Sequence, residues 1–105
     1  MRQLQTRSFR ADYRQLDERE RELFRDAVVA MRDAYLGHRA AGAAGSPAWP
    51  QRLRIKRVRG AAGIFELTWS FAGPDGRATF EYVSVDGEIA IRWRRIGGHR
   101  IFRDP

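Results

Sequence analysis

Residues 64–96, IFELTWSFAGPDGRATFEYVSVDGEIAIRWRRI, are the most informative part of the chain for its fold, because apolar and polar residues alternate along much of this stretch. A period of two is typical of strands that are buried on one face only. Two turn signals, Gly73-Pro74-Asp75-Gly76 and Asp86-Gly87, divide the stretch at residue types that favour tight chain reversals. The stretch therefore predicts three antiparallel strands. The first begins at Ile64, the second spans Arg77–Val85 and the third spans Glu88–Ile96.

The alternation assigns the strand residues to two faces of the predicted sheet. An apolar face is expected to contain Phe65, Leu67, Trp69, Phe71, Ala78, Phe80, Tyr82, Ile89, Ile91 and Trp93. The opposite, polar face is expected to contain Glu66, Thr68, Arg77, Thr79, Glu81, Arg92 and Arg94. Because an apolar sheet face has to be removed from water, we expect a layer of helices to cover it.

The residues that precede this stretch have the period of helices. The first helix is expected to begin with Ser8 as its N-cap, since a serine side chain accepts a hydrogen bond from the first helical turn. Apolar residues then recur at helical spacing on one side: Phe9, Tyr13 and Leu16. This spacing predicts a short amphipathic helix that can pack on the sheet.

A second helix is predicted directly after the first. Asp17 and Glu20 have the spacing of a capping box, in which each side chain bonds to the backbone N–H of the other residue. Gly37 is placed to end this helix. Its apolar stripe is Phe24, Val28, Met31 and Tyr35. The two helices would form a hairpin.

Together these elements predict a single α+β domain over residues 1–105, in which an N-terminal helical hairpin packs on a three- to four-stranded antiparallel sheet. A chain of 105 residues suits one domain. The fourth strand would be a short edge strand around Arg2–Thr6. Residues 38–51, HRAAGAAGSPAWPQ, have neither period and contain glycine and proline, which predicts a connection between helices and sheet.

The composition excludes several classes of protein. The chain has no cysteine, which excludes a disulfide scaffold, a thiolate zinc site and a cysteine nucleophile. Charged residues make up 31% of the chain, which is too polar for a membrane protein. The opening residues, MRQLQTRSFRADYRQL, lack the apolar run of a secretory signal. We therefore expect a cytoplasmic protein that does not contact a membrane.

The net charge of +7, from 20 basic and 13 acidic residues, favours an anionic partner. The basic residues of the second half cluster in two runs. One run is Arg52, Arg54, Lys56, Arg57 and Arg59, and the other is Arg92, Arg94, Arg95, Arg100 and Arg103. Both runs border the predicted polar face, so they would meet across a groove for a phosphate backbone. In the alternative interpretation, the charges keep an edge strand soluble.

Two histidines, His38 and His99, are the side chains that titrate near neutral pH. His38 follows the second helix, where a positive charge interacts favourably with the helix dipole and can donate a hydrogen bond to the last carbonyl groups. His99 follows Gly97-Gly98 after the last strand, and glycines there let the backbone turn and approach a ligand. His99 is therefore the candidate for proton transfer.

Five pieces of the chain, FRADYRQL, RIKRVRG, GIFELTWS, GRATFEY and IRWRRIGGHRIF, occur in an order that resembles the RelE/ParE superfamily of small bacterial toxins. The resemblance extends from about Ser8 to Arg103. Its strongest piece is RRIGGHRIF, which is similar to the terminal strand of the RelE and YafQ branches. The resemblance implies a helical hairpin on an antiparallel sheet, in agreement with the periodicity.

For the ribonuclease branches, the resemblance implies an endoribonuclease that cleaves messenger RNA on the ribosome, without a metal or other cofactor. Its partners would be the ribosome, the message and a cognate antitoxin protein. The 2′-hydroxyl of the substrate attacks the adjacent phosphorus, so the protein must supply a base, an acid and a cation. The chain would then be the toxin of a type II toxin–antitoxin pair.

The resemblance also implies which residues carry out the reaction. Arg77 matches a sheet arginine that would clamp the phosphate, and His99 matches a C-terminal histidine that would act as acid or base. Glu81 shares the predicted face of Arg77 and is a candidate for a second acid or base. The residues expected to bind RNA are Lys56, Arg57, Arg59 and Arg95, with Phe102 stacking on a base.

Two alternatives remain open at the level of sequence. The YafQ branch has further histidines on the sheet, whereas the corresponding residues here, LTWSFAGPDG, include none. The ParE branch has the same fold without the nuclease residues and binds DNA gyrase, so the first alternative is a toxin that binds gyrase or another protein. The second alternative is a nucleic-acid-binding domain without toxicity.

Overall fold

A computed structural model describes residues 1–43, 45, 47–69 and 76–105, and of His99 only the backbone. Within these residues the chain forms two α-helices and five β-strands. They are, in chain order, β1 (Gln3–Gln5), α1 (Arg7–Arg14), α2 (Glu18–Ala40), β2 (Lys56–Arg57), β3 (Phe65–Trp69), β4 (Gly76–Val85) and β5 (Glu88–Gly97). Phe71 of the expected apolar face, and Gly73, Pro74 and Asp75 of the first expected turn, lie outside the described residues.

The described strands form one mixed sheet in the order β1-β5-β4-β3-β2. Strands β2 to β5 pair antiparallel, whereas β1 runs parallel to β5. The prediction of helices on a sheet is confirmed, but the prediction of a three- to four-stranded antiparallel sheet is wrong, because the described strands number five and one is parallel. Strands of two or three residues show too little alternation to reveal their partner or direction.

Helix α1 begins two residues earlier than predicted. Thr6 is the N-cap, and its hydroxyl oxygen accepts the N–H of Phe9 at 3.0 Å. The same hydroxyl donates to the carbonyl of Arg94 at 2.7 Å. The prediction of Ser8 is wrong because the contact with β5 sets the point at which the chain turns from strand to helix.

Helix α2 begins as predicted and ends later than predicted. The capping box of Asp17 and Glu20 is present in both directions. The helix continues through Gly37 to Ala40, so the prediction that Gly37 ends it is wrong. A glycine inside a helix costs about 1 kcal/mol, which a long packed helix tolerates. The left-handed glycine beyond the helix end is Gly42, with φ of 72°.

The core lies between the two helices and the apolar face of the sheet. The ring of Phe24 on α2 lies 5.0 Å from that of Trp93 and 5.8 Å from that of Trp69, measured between ring centres. The predicted apolar face is confirmed for the buried residues Leu67, Trp69, Ala78, Phe80, Ile91 and Trp93. Ile89 is 56% exposed, since it pairs with Ser84 near the hairpin end. Leu53, which follows the connection, is also buried.

Candidate nucleic-acid interface

The polar face of the sheet contains the residues that the alternation assigned to it. In the strand register, Thr68 lies opposite Arg77, and Glu66 lies opposite Thr79. On the other side of β4, Glu81 lies opposite Arg92. Since side chains alternate along β4, Arg77, Thr79 and Glu81 share one face, as predicted.

Glu81 lies between two arginines of this face. Its carboxylate accepts hydrogen bonds from Arg94 Nη1 at 2.6 Å and from Arg92 Nη2 at 3.2 Å. Burial alone would raise the pKa of Glu81, but the hydrogen bonds and charges of Arg94 and Arg92 outweigh burial, and the pKa is lowered. Glu81 is therefore ionised at neutral pH and holds no proton that it could donate as an acid.

A β-bulge in β5 sets the positions of Arg94 and Arg95. Thr79 lies opposite Arg95 and Phe80 lies opposite Trp93, so Arg94 is the extra residue of β5. A bulge re-aims the side chains around it. Here it places Arg94 on the carboxylate of Glu81 and allows Arg95 to reach helix α1.

Arg95 connects the sheet to helix α1. Its Nε and Nη2 donate to the carboxylate of Asp12 at 2.6 and 3.2 Å, and its Nη1 donates to the carbonyl of Asp104 at 3.2 Å. Asp12 also accepts the backbone N–H of Ile96 at 3.1 Å. The hydrogen bonds that Arg95 donates to Asp12 are the main reason that the pKa of Arg95 is raised. Arg95, predicted to bind RNA, thus has protein acceptors on each side of its guanidinium.

The C-terminal turn, His99–Arg103, folds back over the polar face. Ile101 in this turn is buried, and a Cβ placed on Gly97 would lie 3.2 Å from its side chain. The hydroxyl of Thr79 donates to the main-chain oxygen of Pro105 at 3.0 Å, and Arg94 Nε donates to the same oxygen at 3.1 Å. These contacts bury Thr79 on a face that alternation alone would leave in water.

The register brings two of the three predicted catalytic positions to one end of the sheet. Arg77, which is half-buried, lies opposite Gly97, and the backbone of His99 follows two residues later. Glu81 lies four residues along β4, roughly 13 Å from Arg77 at the usual rise of a strand. The polar face therefore brings Arg77 and the C-terminal turn together, and it leaves Glu81 with Arg92 and Arg94.

The basic edge is the run Arg52, Arg54, Lys56, Arg57 and Arg59, and all five side chains are exposed. Strand β2 within it is an edge strand, as the alternative interpretation of the charges expected. Lys56 Nζ lies 3.8 Å from a carboxylate oxygen of Glu66, and the guanidinium of Arg57 lies 5.9 Å from the ring centre of Phe65. The second predicted run has two parts. Arg92, Arg94 and Arg95 bond to carboxylates, whereas Arg100 and Arg103 lie in the C-terminal turn and are exposed.

Phe102, the remaining residue that is predicted to contact RNA, lies in the C-terminal turn, away from the basic edge. Strands β3 and β4 separate the basic edge from β5, a distance of roughly 14 Å at the usual spacing of strands. In the C-terminal turn, Arg100 and Arg103 are exposed and Phe102 is half-buried. The basic edge therefore lies on one side of the polar face and the C-terminal turn on the other.

Two features of the structure have only weak signals in the sequence. The first is the pairing of Asp12, whose only signal in the sequence is that it is the one acidic residue in RSFRADYR. The second is a cavity of about 470 Å³ that lies between α2, the connection and the β4–β5 hairpin. Its signal was Trp49, a large aromatic residue in a connection of small residues.

Within the described part of the chain, no group of three or more histidine, aspartate or glutamate side chains is arranged to hold a metal ion. The described helices include none that is long and apolar enough to cross a membrane. Comparison of the sequence and fold with protein-family models, curated proteins and solved structures finds no match.

Proposed function

We propose that this chain is the toxin of a type II toxin–antitoxin pair and that it cleaves messenger RNA on the ribosome. The observation that carries the proposal is the register of β4 and β5, in which Arg77 lies opposite Gly97 at the start of the C-terminal turn. A cation for the phosphate and the backbone of the candidate histidine are therefore neighbours. The resemblance to the RelE/ParE superfamily names the same two positions.

The proposed reaction needs no group beyond the RNA and the protein side chains. The 2′-oxygen forms a bond to phosphorus, and the bond from phosphorus to the 5′-oxygen breaks. One proton leaves the 2′-hydroxyl, and one proton is delivered to the departing 5′-oxygen. The products are a 2′,3′-cyclic phosphate and a 5′-hydroxyl. Arg77 stabilises the charge that grows on the phosphoryl oxygens, and His99 transfers protons.

Glu81 has a different task in this proposal from the one its sequence position suggested. An ionised carboxylate that accepts hydrogen bonds from two arginines is a weak base and no acid. We assign it to holding Arg92 and Arg94 in fixed positions on the polar face. Arg95 is assigned to the contact with Asp12 rather than to RNA.

The RNA would approach over the basic edge. Lys56, Arg57 and Arg59 are exposed and would contact phosphates, while Phe102 in the C-terminal turn would stack on an unpaired base. The cognate antitoxin would be an acidic protein that covers this surface, since the chain carries a net charge of +7.

The test compares His99→Gln with His38→Gln, which changes the other histidine of the chain. Message cleavage during translation is measured by primer extension, and the ends are tested for the cyclic phosphate and the 5′-hydroxyl. His99→Gln should lower the cleavage rate by about 10²–10⁴ and retain ribosome binding, whereas His38→Gln should cleave like the wild type.

A second pair of variants tests the cation. Arg77→Ala should lower the cleavage rate by a similar factor. Arg77→Lys should restore only part of the rate, because the ammonium group of lysine does not form the paired hydrogen bonds that a planar guanidinium forms with two phosphoryl oxygens. Growth arrest on induction is the parallel measurement. Growth arrest that persists in His99→Gln and Arg77→Ala, without new RNA ends, would contradict the nuclease and favour a toxin that binds gyrase or another protein.

A further inference from the structure

The cavity of about 470 Å³ lies at the opposite end of the β4–β5 hairpin from Arg77. Its described lining includes Met1, Tyr35, Trp49, Tyr82, Ile89 and Ile91. Three aromatic rings from three different segments therefore surround one space. The pairs Arg77–Gly97 and Val85–Glu88 mark the two ends of the hairpin, which are roughly 25 Å apart. The cavity is thus separate from the candidate nucleic-acid interface.

The polar groups around the cavity are bonded to one another. Trp49 Nε1 donates to the hydroxyl of Tyr82 at 3.0 Å, which ties the connection to β4. His38 Nε2 lies 3.1 Å from the carbonyl oxygen of Gly45. Arg39 Nη2 lies 4.0 Å from a carboxylate oxygen of Glu88. The cavity therefore has a mostly apolar lining, in which one positive and one negative charge, Arg39 and Glu88, lie close to each other.

From this lining we infer that the cavity is a binding site for a small, uncharged aromatic molecule. Its volume lies within the range of sites that enclose small ligands, and such sites are lined by apolar and aromatic side chains with a few polar groups. The aromatic rings favour a flat, apolar ligand through offset or edge-to-face contacts. A charged ligand would lose its hydration and gain little, because Arg39 and Glu88 already face each other.

Ile89 gives an independent reason to expect an occupant. It lines the cavity and is 56% exposed, although it lies on the apolar face of the sheet. A ligand in the cavity would remove this side chain from water, which stabilises the bound state in proportion to the apolar area that is buried. The inference does not depend on the proposed nuclease activity, because no residue of the proposed reaction lines the cavity.

The experiment uses the indole N–H signals of the full-length protein in heteronuclear NMR. The chain has three tryptophans, of which Trp69 and Trp93 are buried in the core and Trp49 lines the cavity. The probes are indole, which is neutral, indole-3-acetate, which is an anion, and tryptamine, which is a cation. All three carry the same ring. Trp49→Phe assigns the Trp49 signal, because that variant lacks it.

We expect indole to shift the Trp49 signal in a saturable way, with a dissociation constant below about 1 mM, and to leave the Trp69 and Trp93 signals in place. Indole-3-acetate and tryptamine should bind at least about fivefold more weakly. A Trp49 signal that does not move, or that moves without saturation up to about 5 mM, would overturn the site. Tighter binding of indole-3-acetate than of indole would overturn its preference for an uncharged ligand.

A matched pair of variants locates the binding. Ile89→Asp places a carboxylate in the lining, and Val29→Asp makes the same change at an exposed valine of α2 that lies outside the lining. Both positions are exposed, so both variants should fold, which the dispersion of the other amide signals checks. Ile89→Asp should weaken indole binding at least about tenfold, because a charge in an apolar lining is poorly solvated when the ligand binds. Equal binding by the two variants would contradict the cavity as the site.

Discussion

The two faces of strand β4 are held by different kinds of contact, although their residues alternate along one strand. Ala78 and Phe80 point into the core, where the ring of Phe80 lies 5.3 Å from that of Trp93. Thr79 and Glu81 point away from the core, and they bond to the main-chain oxygen of Pro105 and to two arginines. The core face depends on packing, and the polar face depends on specific partners.

The core face should tolerate substitution more readily than the polar face. The hydrophobic effect is not directional, so the core face requires apolar residues of suitable size rather than one specific partner for each residue. A carboxylate bound by two arginines needs both at the right distance, and the bulge at Arg94 supplies one of them. The core face should therefore contribute most of the stability, and the polar face should set the positions of the charges.

The largest effect on stability should come from the core face. Phe80 is fully buried, so Phe80→Ala loses its burial and leaves a cavity, which should lower the free energy of unfolding by about 3–5 kcal/mol. Chemical denaturation measures this change. The control is Ile89→Ala on the same face, which is largely exposed and should lose less than about 1 kcal/mol. A loss below about 1 kcal/mol for Phe80→Ala would show that packing does not hold this face.

The next effect should come from the contact between α1 and β5. Asp12→Ala removes both hydrogen bonds to Arg95 and the one from the N–H of Ile96, which should cost about 2 kcal/mol. Asp33→Ala is the control, since Asp33 is exposed and lies 3.9 Å from Arg32, and it should change stability by less than about 0.5 kcal/mol. Similar losses in the two variants would mean that Arg95 is available to a partner after all.

Glu81 should have a smaller effect that depends on pH. Glu81→Gln should cost about 1 kcal/mol near neutral pH, since the partly exposed pairs with Arg92 and Arg94 are screened by water. Because the folded protein lowers the pKa of Glu81 below 4.5, the stability from these pairs is complete above that value. It is lost as the pH falls through the folded pKa.

Denaturation curves of the wild type and Glu81→Gln, recorded between about pH 3 and 7, check this prediction. The difference in unfolding free energy should stay constant above about pH 5 and decrease below about pH 4.5. A difference that instead grew as the pH fell would mean that Glu81 is protonated in the folded state at higher pH, and it would restore Glu81 as a candidate acid.

The smallest effect on stability should come from the basic edge. Arg57→Ala with Arg59→Ala should change the unfolding free energy by less than about 0.5 kcal/mol, because both side chains are exposed. The same double variant should weaken RNA binding and reduce the slope of log affinity against log salt by about 1.4, since each phosphate contact on a single strand contributes about 0.7.

The control for the basic edge removes two exposed arginines from helix α2, Arg19 and Arg32, and so makes the same change in net charge. Filter binding of a short single-stranded RNA at several salt concentrations measures both variants. The control should keep the wild-type salt slope. If both double variants reduced the slope equally, the effect would come from net charge alone, and the basic edge would not be the RNA-binding surface.

Much of the sheet could be predicted because alternation is a local property of the chain. The spans of β4 and β5 were expected to within one residue, and the hairpin at Asp86-Gly87 is present, with positive φ at both residues. Less of the candidate site than of the sheet could be predicted from the sequence. Alternation indicates that Glu81 and Arg92 share a face, but no periodic pattern reveals the bulge that brings Arg94 to the same carboxylate.

The class of the fold, the faces of the strands, the capping box of α2 and the excess of positive charge can all be predicted from the amino-acid sequence. These properties follow from residue type and from spacing over a few positions. Three further features become visible only in the folded domain: β1 runs parallel to β5, Asp12 binds Arg95, and the C-terminal turn buries Thr79. Each of these contacts joins residues that are distant in the chain, and its formation depends on the packing of the whole domain rather than on a local preference.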